Sequence, residues 1–353
     1  GRFPAGEANL CTATLYYDGL VSAAYLAPLV GEPKSVANTY RKQAEDLYKA
    51  INKYFSANVS GFETYRYYDG NTVLRSWICM PLCFGFKERA EGTLAALYSP
   101  KLLTVDGLLT AEGDVTFWDR STLYALRGAY VAGAADQATK QLLDYSNRRL
   151  LGTHVPYPIE AWPEGSQRHL SAESGLYCRI ITEGLFGIRP TGFNSFNLTI
   201  QLPTAWNEMA LRHVKAFGGD FDIEVKRKSE TQAEVFIKNA GKTKKYTVKI
   251  GQELKNVPRA LQHASIVDGL KECAPMLEEN DVTLVFEPLN TKIDHPGYYL
   301  WSSAEAFEMV EEIGSSHVKV LFDLYHHYIM DDLVVLTVVQ RGGALAAGED
   351  RNI

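Results

Sequence analysis

The chain has 353 residues, of which 46% are hydrophobic and 22% are charged, and its formal net charge is −6 at pH 7. This length allows about two domains with substantial buried cores. The composition excludes a disordered chain and gives no general electrostatic reason to bind nucleic acid or an anionic membrane, so we expect small or neutral partners. No run of about 18 apolar residues predicts a membrane-spanning helix, and no basic and apolar leader segment precedes the first predicted helix.

Helices are predicted over most of residues 20–185, because apolar side chains recur every three or four positions and Pro or Gly clusters separate the segments. Segments that are apolar nearly all round alternate with segments that have a charged face. This alternation predicts buried inner helices and solvent-facing outer helices, with the polar loops before the inner helices gathered at one end. The predicted helices are Leu20–Val30, Ser35–Phe55, Val73–Phe86, Lys87–Leu97, Thr116–Ala132, Asp136–Leu151 and His169–Leu185.

The loop before the last of these helices concentrates groups suited to cleaving a glycosidic bond. Residues 154–177 combine several carboxylates with Trp162 and with basic side chains. Glycoside hydrolysis needs a protonated carboxyl for the leaving oxygen and an ionised carboxylate that activates water, while aromatic and basic groups fix the sugar. The structural alternative is that Glu164 and Glu173 cap the following helix and pair with Arg168 or Arg179.

Two segments, Phe117-Trp118-Asp119-Arg120-Ser121 and His154 to Phe193, carry a family resemblance. With them, residues 15–217 resemble the six-hairpin, (α/α)6-barrel glycosidases, a class that includes glucoamylase-like and rhamnosidase-like enzymes. The resemblance implies an inverting acid and base pair. Fewer helices are predicted than a complete barrel of this class has, so an incomplete barrel is expected.

In this resemblance the base is a Glu shortly before a Leu-Ser-Ala at the start of the last inner helix, which corresponds to Glu160. The acid lies in the loop entering the third inner helix, which corresponds to Asp18, with Glu7 as a substitute. The alternative for Asp18, which Gly19 follows, is an Asp-Gly turn before a helix. The substrate-binding residues implied are Trp118, Asp119, Arg120, Trp162, Glu164, Arg168 and His169.

After Gly218 and Gly219 the apolar pattern changes to a period of two. Such alternation predicts strands with one buried face, and the turn Asn239-Ala240-Gly241-Lys242 joins the last two runs. We therefore predict a small antiparallel sheet, which resembles the β-domain that often follows such barrels. The alternating apolar residues are Phe221, Ile223, Val225, Val235, Ile237, Tyr246, Val248 and Ile250.

A βαβ unit is predicted from residue 257 onward. A helix near Arg259–Glu279 leads to two continuous apolar strands, and the helix between them has the capping-box spacing Ser302 to Glu305 and a C-cap glycine, Gly314. Strands joined in this way are parallel, so their carboxyl ends lie together. The strands are predicted over Val282–Phe286 and Val318–Phe322, and the helix over Ser302–Ile313.

Glu287 follows the first of these strands and Asp323 follows the second. Two carboxylates at adjacent strand ends are a natural start for a Mg²⁺ or Mn²⁺ site, because hard cations prefer carboxylate oxygens. A cation there can polarise a ketose carbonyl while a Glu moves the adjacent proton.

The motifs Arg259-Ala-Leu-Gln-His263, Glu287-Pro-Leu-Asn290, His295-Pro-Gly-Tyr-Tyr299 and Val320-Leu-Phe-Asp323-Leu-Tyr-His326 carry a second resemblance. Residues 257–330 resemble the xylose-isomerase-like barrels, in their hydroxypyruvate-isomerase and ketose-epimerase branch. The resemblance implies that Glu287 is a metal ligand and acid/base residue, Asp323 a metal ligand and His326 a substrate contact. The alternative for His326 is an ordinary loop histidine. The family's other strands, and the later His and Glu of its metal site, are not found.

The predicted fold is mainly α: an incomplete (α/α)6 barrel with a small antiparallel β-domain, followed by a partial β/α (TIM-type) segment. The expected domains are residues 1–218, 219–255 and 256–332, with an unmatched tail over 333–353. The first function hypothesis is a glycoside hydrolase-like protein that acts on carbohydrate without a cofactor, with or without residual activity. The alternatives are a Mg²⁺- or Mn²⁺-dependent sugar isomerase or epimerase fragment and a non-functional fused gene product. The two resemblances imply different compartments, export and cytoplasm, and oligomeric state stays open.

Overall fold

The computed structural model describes residues 7–152, 156–162, 171–192, 195–217, 219–239, 242–255, 257–295 and 298–330. The chain divides into two compact units, Gly1–Val257 and Pro258–Ile353. The finer division into four segments stays a prediction. None of the described helices combines the length and the apolar character that crossing a membrane requires.

Helices dominate the first unit, as the apolar periodicity predicts. In the second helix the buried residues Ala37, Ala44, Ile51 and Phe55 repeat at helical spacing, so one stripe faces the core. The helices are α1 (Leu10–Leu29), α2 (Lys34–Phe55), α3 (Met80–Cys83) after a 3-10 turn at Ser76–Cys79, α4 (Ala90–Leu97), α5 (Asp119–Val131), α6 (Ala135–Tyr145) continued by a π turn at Ser146–Leu150, and α7 (Ser171–Arg179) continued by a π turn at Ile180–Leu185.

The start of α1 corrects one prediction. The helix begins at Leu10, earlier than expected, because Asn9 caps it by accepting a hydrogen bond from the Thr12 N–H at 2.9 Å. Asp18 therefore lies inside a helix, whereas the sequence predicted a loop before one. The Asp-Gly turn is wrong for the same reason, since Gly19 is helical and a helix tolerates a single Gly at a cost of about 1 kcal/mol.

The expectation that α1 is buried on every side is also wrong. One face is buried through Leu20 and Ala24, but Tyr25, Leu26 and Leu29 are 45%, 49% and 43% exposed. An apolar helix surface can be buried only where a neighbouring element covers it. Within the described residues, no element covers this face.

Short strands connect the helices of the first unit and position its loops. The pair β5 (Phe117–Trp118) and β6 (Ala161–Trp162) is antiparallel and holds the segment after residue 155 beside the start of α5. The remaining short strands are β1 (Ser56–Val59), β2 (Phe62–Tyr65), β3 (Leu103–Thr104), β4 (Gly107–Leu108), β7 (Arg189–Gly192) and β8 (Ser195–Asn197). The main core cluster includes Leu10, Ile51, Phe55, Tyr65, Leu74, Ile78, Met80, Leu82, Phe86 and Leu97.

The small antiparallel sheet is confirmed and has one strand more than predicted. Phe221, Ile223 and Val225 are buried while their neighbours are not, which is the period-two pattern. The extra strand, β9, has no fully buried residue and so lacks that pattern. The strands are β9 (Glu208–Ala216), β10 (Gly219–Arg227), β11 (Gln232–Asn239) and β12 (Lys242–Lys249), in the order β12-β11-β10-β9.

The second unit contains the predicted βαβ arrangement. Its two strands are parallel, and the helix between them has both predicted caps: the Ser302 hydroxyl accepts from the Glu305 N–H at 3.3 Å, and Gly314 is left-handed with φ 73°. Within the described residues the sheet has these two strands only, so it does not close into a barrel. The elements are α8 (Val257–Glu279), β13 (Leu284–Phe286), α9 (Ser303–Ile313), β14 (Val318–Val320) and α10 (Leu324–Met330).

Candidate functional site

In the first unit, a guanidinium group lies between two carboxylates. Arg120, in the first turn of α5, donates from Nε to Glu173 Oε1 on α7 at 2.5 Å. Its NH1 group is 3.8 Å from Glu160 Oε1, next to β6. The β5–β6 pairing and the packing of α5 against α7 bring these three residues together.

The two carboxylates differ in burial. Glu160 is 49% exposed and can reach a ligand, whereas Glu173 is fully buried. The second oxygen of Glu173, Oε2, has no hydrogen-bond partner in the described structure. The sequence alternative for Glu173 is therefore corrected: its partner is Arg120, and Arg179 pairs with Glu183 at 2.5 Å. A long-range pair of this kind leaves no local sequence pattern.

Asp119, which was predicted to contact the sugar, is instead a buried structural residue. It is 1% exposed and forms an ion pair with Arg149, itself 3% exposed, at 3.0 Å. Asp119 also accepts a hydrogen bond from the Ile159 N–H at 2.8 Å. It therefore fastens the segment that carries Glu160 to the start of α5, and a substrate would not reach it.

The other predicted residues of this site have different outcomes. Trp118 is partly exposed and makes an edge contact with Trp77, with the ring centroids 5.8 Å apart. Glu164, Arg168 and His169 lie outside the described residues, as does the side chain of Trp162. Their predicted contacts with a sugar stay predictions.

Asp18 occupies a different environment from Glu160. Its carboxylate pairs with Arg189 at 3.1 Å and lines a cavity of about 1090 Å³ whose described walls do not include Glu160. Among the contacts of the described residues, none joins Asp18 to Glu160. The predicted acid and base pair thus receives no geometric support, because the acid was assigned to a loop that is part of α1.

In the second unit, three side chains meet at the carboxyl ends of β13 and β14. One oxygen each of Glu287 and Asp323, and one ring nitrogen of His326, lie within 4.8 Å of one another. His326 Nε2 is 3.8 Å from Glu287 Oε1. The parallel register, with Phe286 opposite Val320, places both carboxylates at the same edge of the sheet.

The electrostatics of this cluster suit a cation. Burial raises the pKa of Glu287 above its ordinary value, and the negative charge of Asp323 adds to the rise, while His326 opposes it. Two carboxylates held this close repel each other unless a proton or a cation lies between them. The pair therefore fits a hard divalent ion such as Mg²⁺ or Mn²⁺, for which carboxylate oxygens are the preferred ligands.

Behind the cluster lies Asn290, to which the sequence motif assigned no role. Asn290 is completely buried, and its side-chain nitrogen is 2.7 Å from His326 Nδ1 and donates to Asp294 Oδ2 at 2.8 Å. Hydrogen bonds from Asn290 and from Tyr325 hold the pKa of Asp294 below its ordinary value. An ionised Asp294 thus anchors the network around His326.

The second resemblance is confirmed by comparison with known proteins. Residues 214–350, less than half of the chain, match the family model described as "Xylose isomerase-like TIM barrel". Hydroxypyruvate isomerase of Escherichia coli (strain K12) is 32% identical over 78 residues, which are 22% of this chain and 30% of that protein. D-psicose 3-epimerase of Enterocloster bolteae is 37% identical over 93 residues, 26% of this chain and 30% of that protein. The chain spans about 30% of the length of these curated relatives.

The first resemblance is supported at the level of the fold. A solved structure titled "Sialidase" superposes with a TM-score of 0.54 at 15% sequence identity, covering 70% of this chain and 26% of that chain. At this identity the likeness concerns the fold alone. Most of the chain thus shares a fold with that structure, and residues 214–350 match the xylose-isomerase-like barrels.

Proposed function

We propose that the second unit binds a divalent cation, Mg²⁺ or Mn²⁺, and a small sugar, as part of a site of the isomerase or epimerase type. The observation that carries the proposal is the pair of carboxylates, Glu287 and Asp323, held at one sheet edge with the pKa of Glu287 raised. The relatives named above, a hydroxypyruvate isomerase and a D-psicose 3-epimerase, support a small keto compound as the ligand.

Each residue has a definite part in this proposal. Glu287 and Asp323 hold the cation, which when bound polarises the carbonyl of a ketose. The raised pKa of Glu287 suits a group that accepts and returns the proton on the carbon beside the carbonyl. His326, 12% exposed, faces Glu287 and would contact a substrate oxygen.

The test is cation-dependent stabilisation. At ten times the dissociation constant, a cation that binds only the folded state adds about 1.4 kcal/mol to the free energy of unfolding. We expect Mn²⁺ to stabilise the wild type and not the Glu287→Ala, Asp323→Ala double variant. The Glu308→Ala, Glu311→Ala double variant removes two exposed carboxylates of α9 and should respond like the wild type. No stabilisation of the wild type at millimolar Mn²⁺ would refute the proposal.

A second candidate function is glycoside hydrolysis in the first unit. The observation that favours it is Glu160, half exposed and paired with Arg120, beside the buried Glu173. The Arg120 guanidinium, 3.8 Å from Glu160 Oε1, can orient this carboxylate toward a water molecule, which is what a general base requires. Trp118, which pairs with Ala161 between β5 and β6, is partly exposed and provides an aromatic ring in the same part of the unit.

Release of sugar from an oligosaccharide panel tests this candidate. Glu160→Gln should abolish hydrolysis, while Glu208→Gln, an exposed carboxylate at the start of β9, should leave it unchanged. Hydrolysis that survives in Glu160→Gln would remove Glu160 from the assignment. Sugar binding that persists without hydrolysis would indicate a lectin-like role. If the wild type shows neither stabilisation by Mn²⁺ nor release of sugar, the non-functional fusion is favoured.

A further inference from the structure

We infer that Asn290 is a positioning residue that holds His326 in one tautomer, with the hydrogen on Nε2. His326 is then a hydrogen-bond donor toward the site and is not a third ligand of the cation. The inference rests on the proposed cation and sugar site, and it assigns a role to a residue outside the group of carboxylates.

The first step is that, among the residues that the structure describes, only donors face Nδ1 of His326. The backbone N–H of Asn290 lies 3.2 Å from Nδ1, and a backbone N–H can only donate. The side-chain nitrogen of the same Asn290 lies 2.7 Å from Nδ1. Nδ1 must therefore carry a lone pair, because a hydrogen there would point at these donors.

The second step is that the Asn290 amide cannot be turned over. Its Oδ1 accepts from the backbone N–H groups of Ile293, at 3.1 Å, and Asp294, at 3.0 Å. Its nitrogen faces the Asp294 carboxylate at 2.8 Å. If the oxygen and nitrogen were exchanged, the amide nitrogen would face two backbone N–H groups, which are donors, and the amide oxygen would face the Asp294 carboxylate, which is an acceptor. The nitrogen therefore faces His326.

The third step concerns the remaining ring nitrogen. A neutral imidazole carries one hydrogen, and since Nδ1 accepts, the hydrogen is on Nε2. Nε2 faces Glu287 Oε1 at 3.8 Å, on the side of the ring toward the cation site. By distance alone His326 could join Glu287 and Asp323 as a ligand. A ring nitrogen that carries a hydrogen has no free lone pair with which to bind a cation. The hydrogen bonds to Nδ1 therefore argue against His326 as a ligand.

Nuclear magnetic resonance of the whole chain tests the tautomer directly. Long-range ¹H–¹⁵N correlation at about pH 8, above the ordinary histidine pKa of about 6.5, distinguishes a protonated from an unprotonated ring nitrogen. The His326→Gln variant identifies the signals among the 8 histidines. We expect a protonated Nε2 and an unprotonated Nδ1. A hydrogen on Nδ1, or an averaged mixture, in the wild type would overturn the inference.

Variants test the part played by Asn290. Asn290→Ala removes the side-chain donor and should shift the His326 signals toward a mixture of tautomers, and unchanged signals would overturn the role of the amide. If that variant does not fold, Asn290→Leu serves instead, because it also removes the side-chain donor while filling more of the buried space, and it should produce the same shift.

Calorimetric titration with Mg²⁺ provides a second, independent readout. If His326 were a ligand, Asn290→Ala would weaken Mg²⁺ binding by about 10- to 100-fold, as loss of an outer-shell partner does. We expect Asn290→Ala and His326→Gln to stay within about 2-fold of the wild type, and Glu287→Gln to lose about 10-fold or more. A loss in His326→Gln equal to that in Glu287→Gln would contradict the inference. If the wild type binds no Mg²⁺, the proposed function fails while the resonance experiment still decides the tautomer.

Discussion

The buried ion pair between Asp119 and Arg149 supports a quantitative prediction about the first unit. The two side chains are 1% and 3% exposed and lie 3.0 Å apart, so neither charge is solvated. Asp119→Ala leaves the Arg149 guanidinium buried without its carboxylate partner, which costs about 3–5 kcal/mol. It also removes the acceptor of the Ile159 N–H, at about 1–3 kcal/mol. A loss of at least about 3 kcal/mol is a large part of the 5–15 kcal/mol typical of a folded domain.

Denaturant unfolding followed by circular dichroism measures this loss, and Asp144→Ala is the matched control. Asp144 also forms an ion pair, with Lys140 at 2.6 Å, but both side chains are exposed, so its removal should cost about 0.5 kcal/mol or less. Hydrogen exchange of the Ile159 amide should accelerate in Asp119→Ala, because the segment beside Glu160 loses its attachment. A destabilisation of Asp119→Ala no larger than that of Asp144→Ala would refute the reasoning.

Four further predictions follow from the same structure. The affinity for Mg²⁺ should fall as the pH is lowered through the raised pKa of Glu287, because the cation and the proton compete for the same carboxylate. An affinity that does not change between pH 7 and pH 4.5 would contradict this. Without a cation, the raised pKa means that the folded state binds this proton more tightly than the unfolded state, so the contribution of Glu287 to stability should decline as the pH rises above 4.5. Glu173→Gln should cost about 1–3 kcal/mol by chemical denaturation, less than Asp119→Ala, because Arg120 is 35% exposed and can be solvated. Gly187→Ala should cost more than about 1 kcal/mol, since φ is +62° and a Cβ would lie 2.2 Å from the Thr199 carbonyl oxygen; Gly175→Ala, with open space around it, is the control.

The elements predicted correctly from the sequence are those whose signals are local. The helical periodicity of α2, the alternation in β10 and the caps Ser302 and Gly314 each depend on residues close in the chain. The approach of Glu287 to Asp323 was predictable too, because one βαβ unit fixes where two parallel strands end.

The features that were missed depend on residues far apart in the chain or on what covers a surface. The pairs Arg120–Glu173 and Asp119–Arg149 join different elements, and no pattern marks them in advance. The exposed face of α1 has an apolar composition like that of a buried helix, so composition alone could not distinguish the two. Asn290 stands in a recognised motif, but its role became visible only when the direction of each hydrogen bond was known.

The measurement that tests the proposed cation site most directly is a titration with Mn²⁺ followed by electron paramagnetic resonance. The intensity of the free-ion spectrum reports the concentration of unbound Mn²⁺, because bound Mn²⁺ does not contribute to it. We expect the wild type to bind one Mn²⁺ per chain and the Glu287→Ala, Asp323→Ala double variant to bind none at the same concentrations. Equal binding by the two proteins, or no binding by the wild type up to millimolar Mn²⁺, would contradict a site built from these two carboxylates.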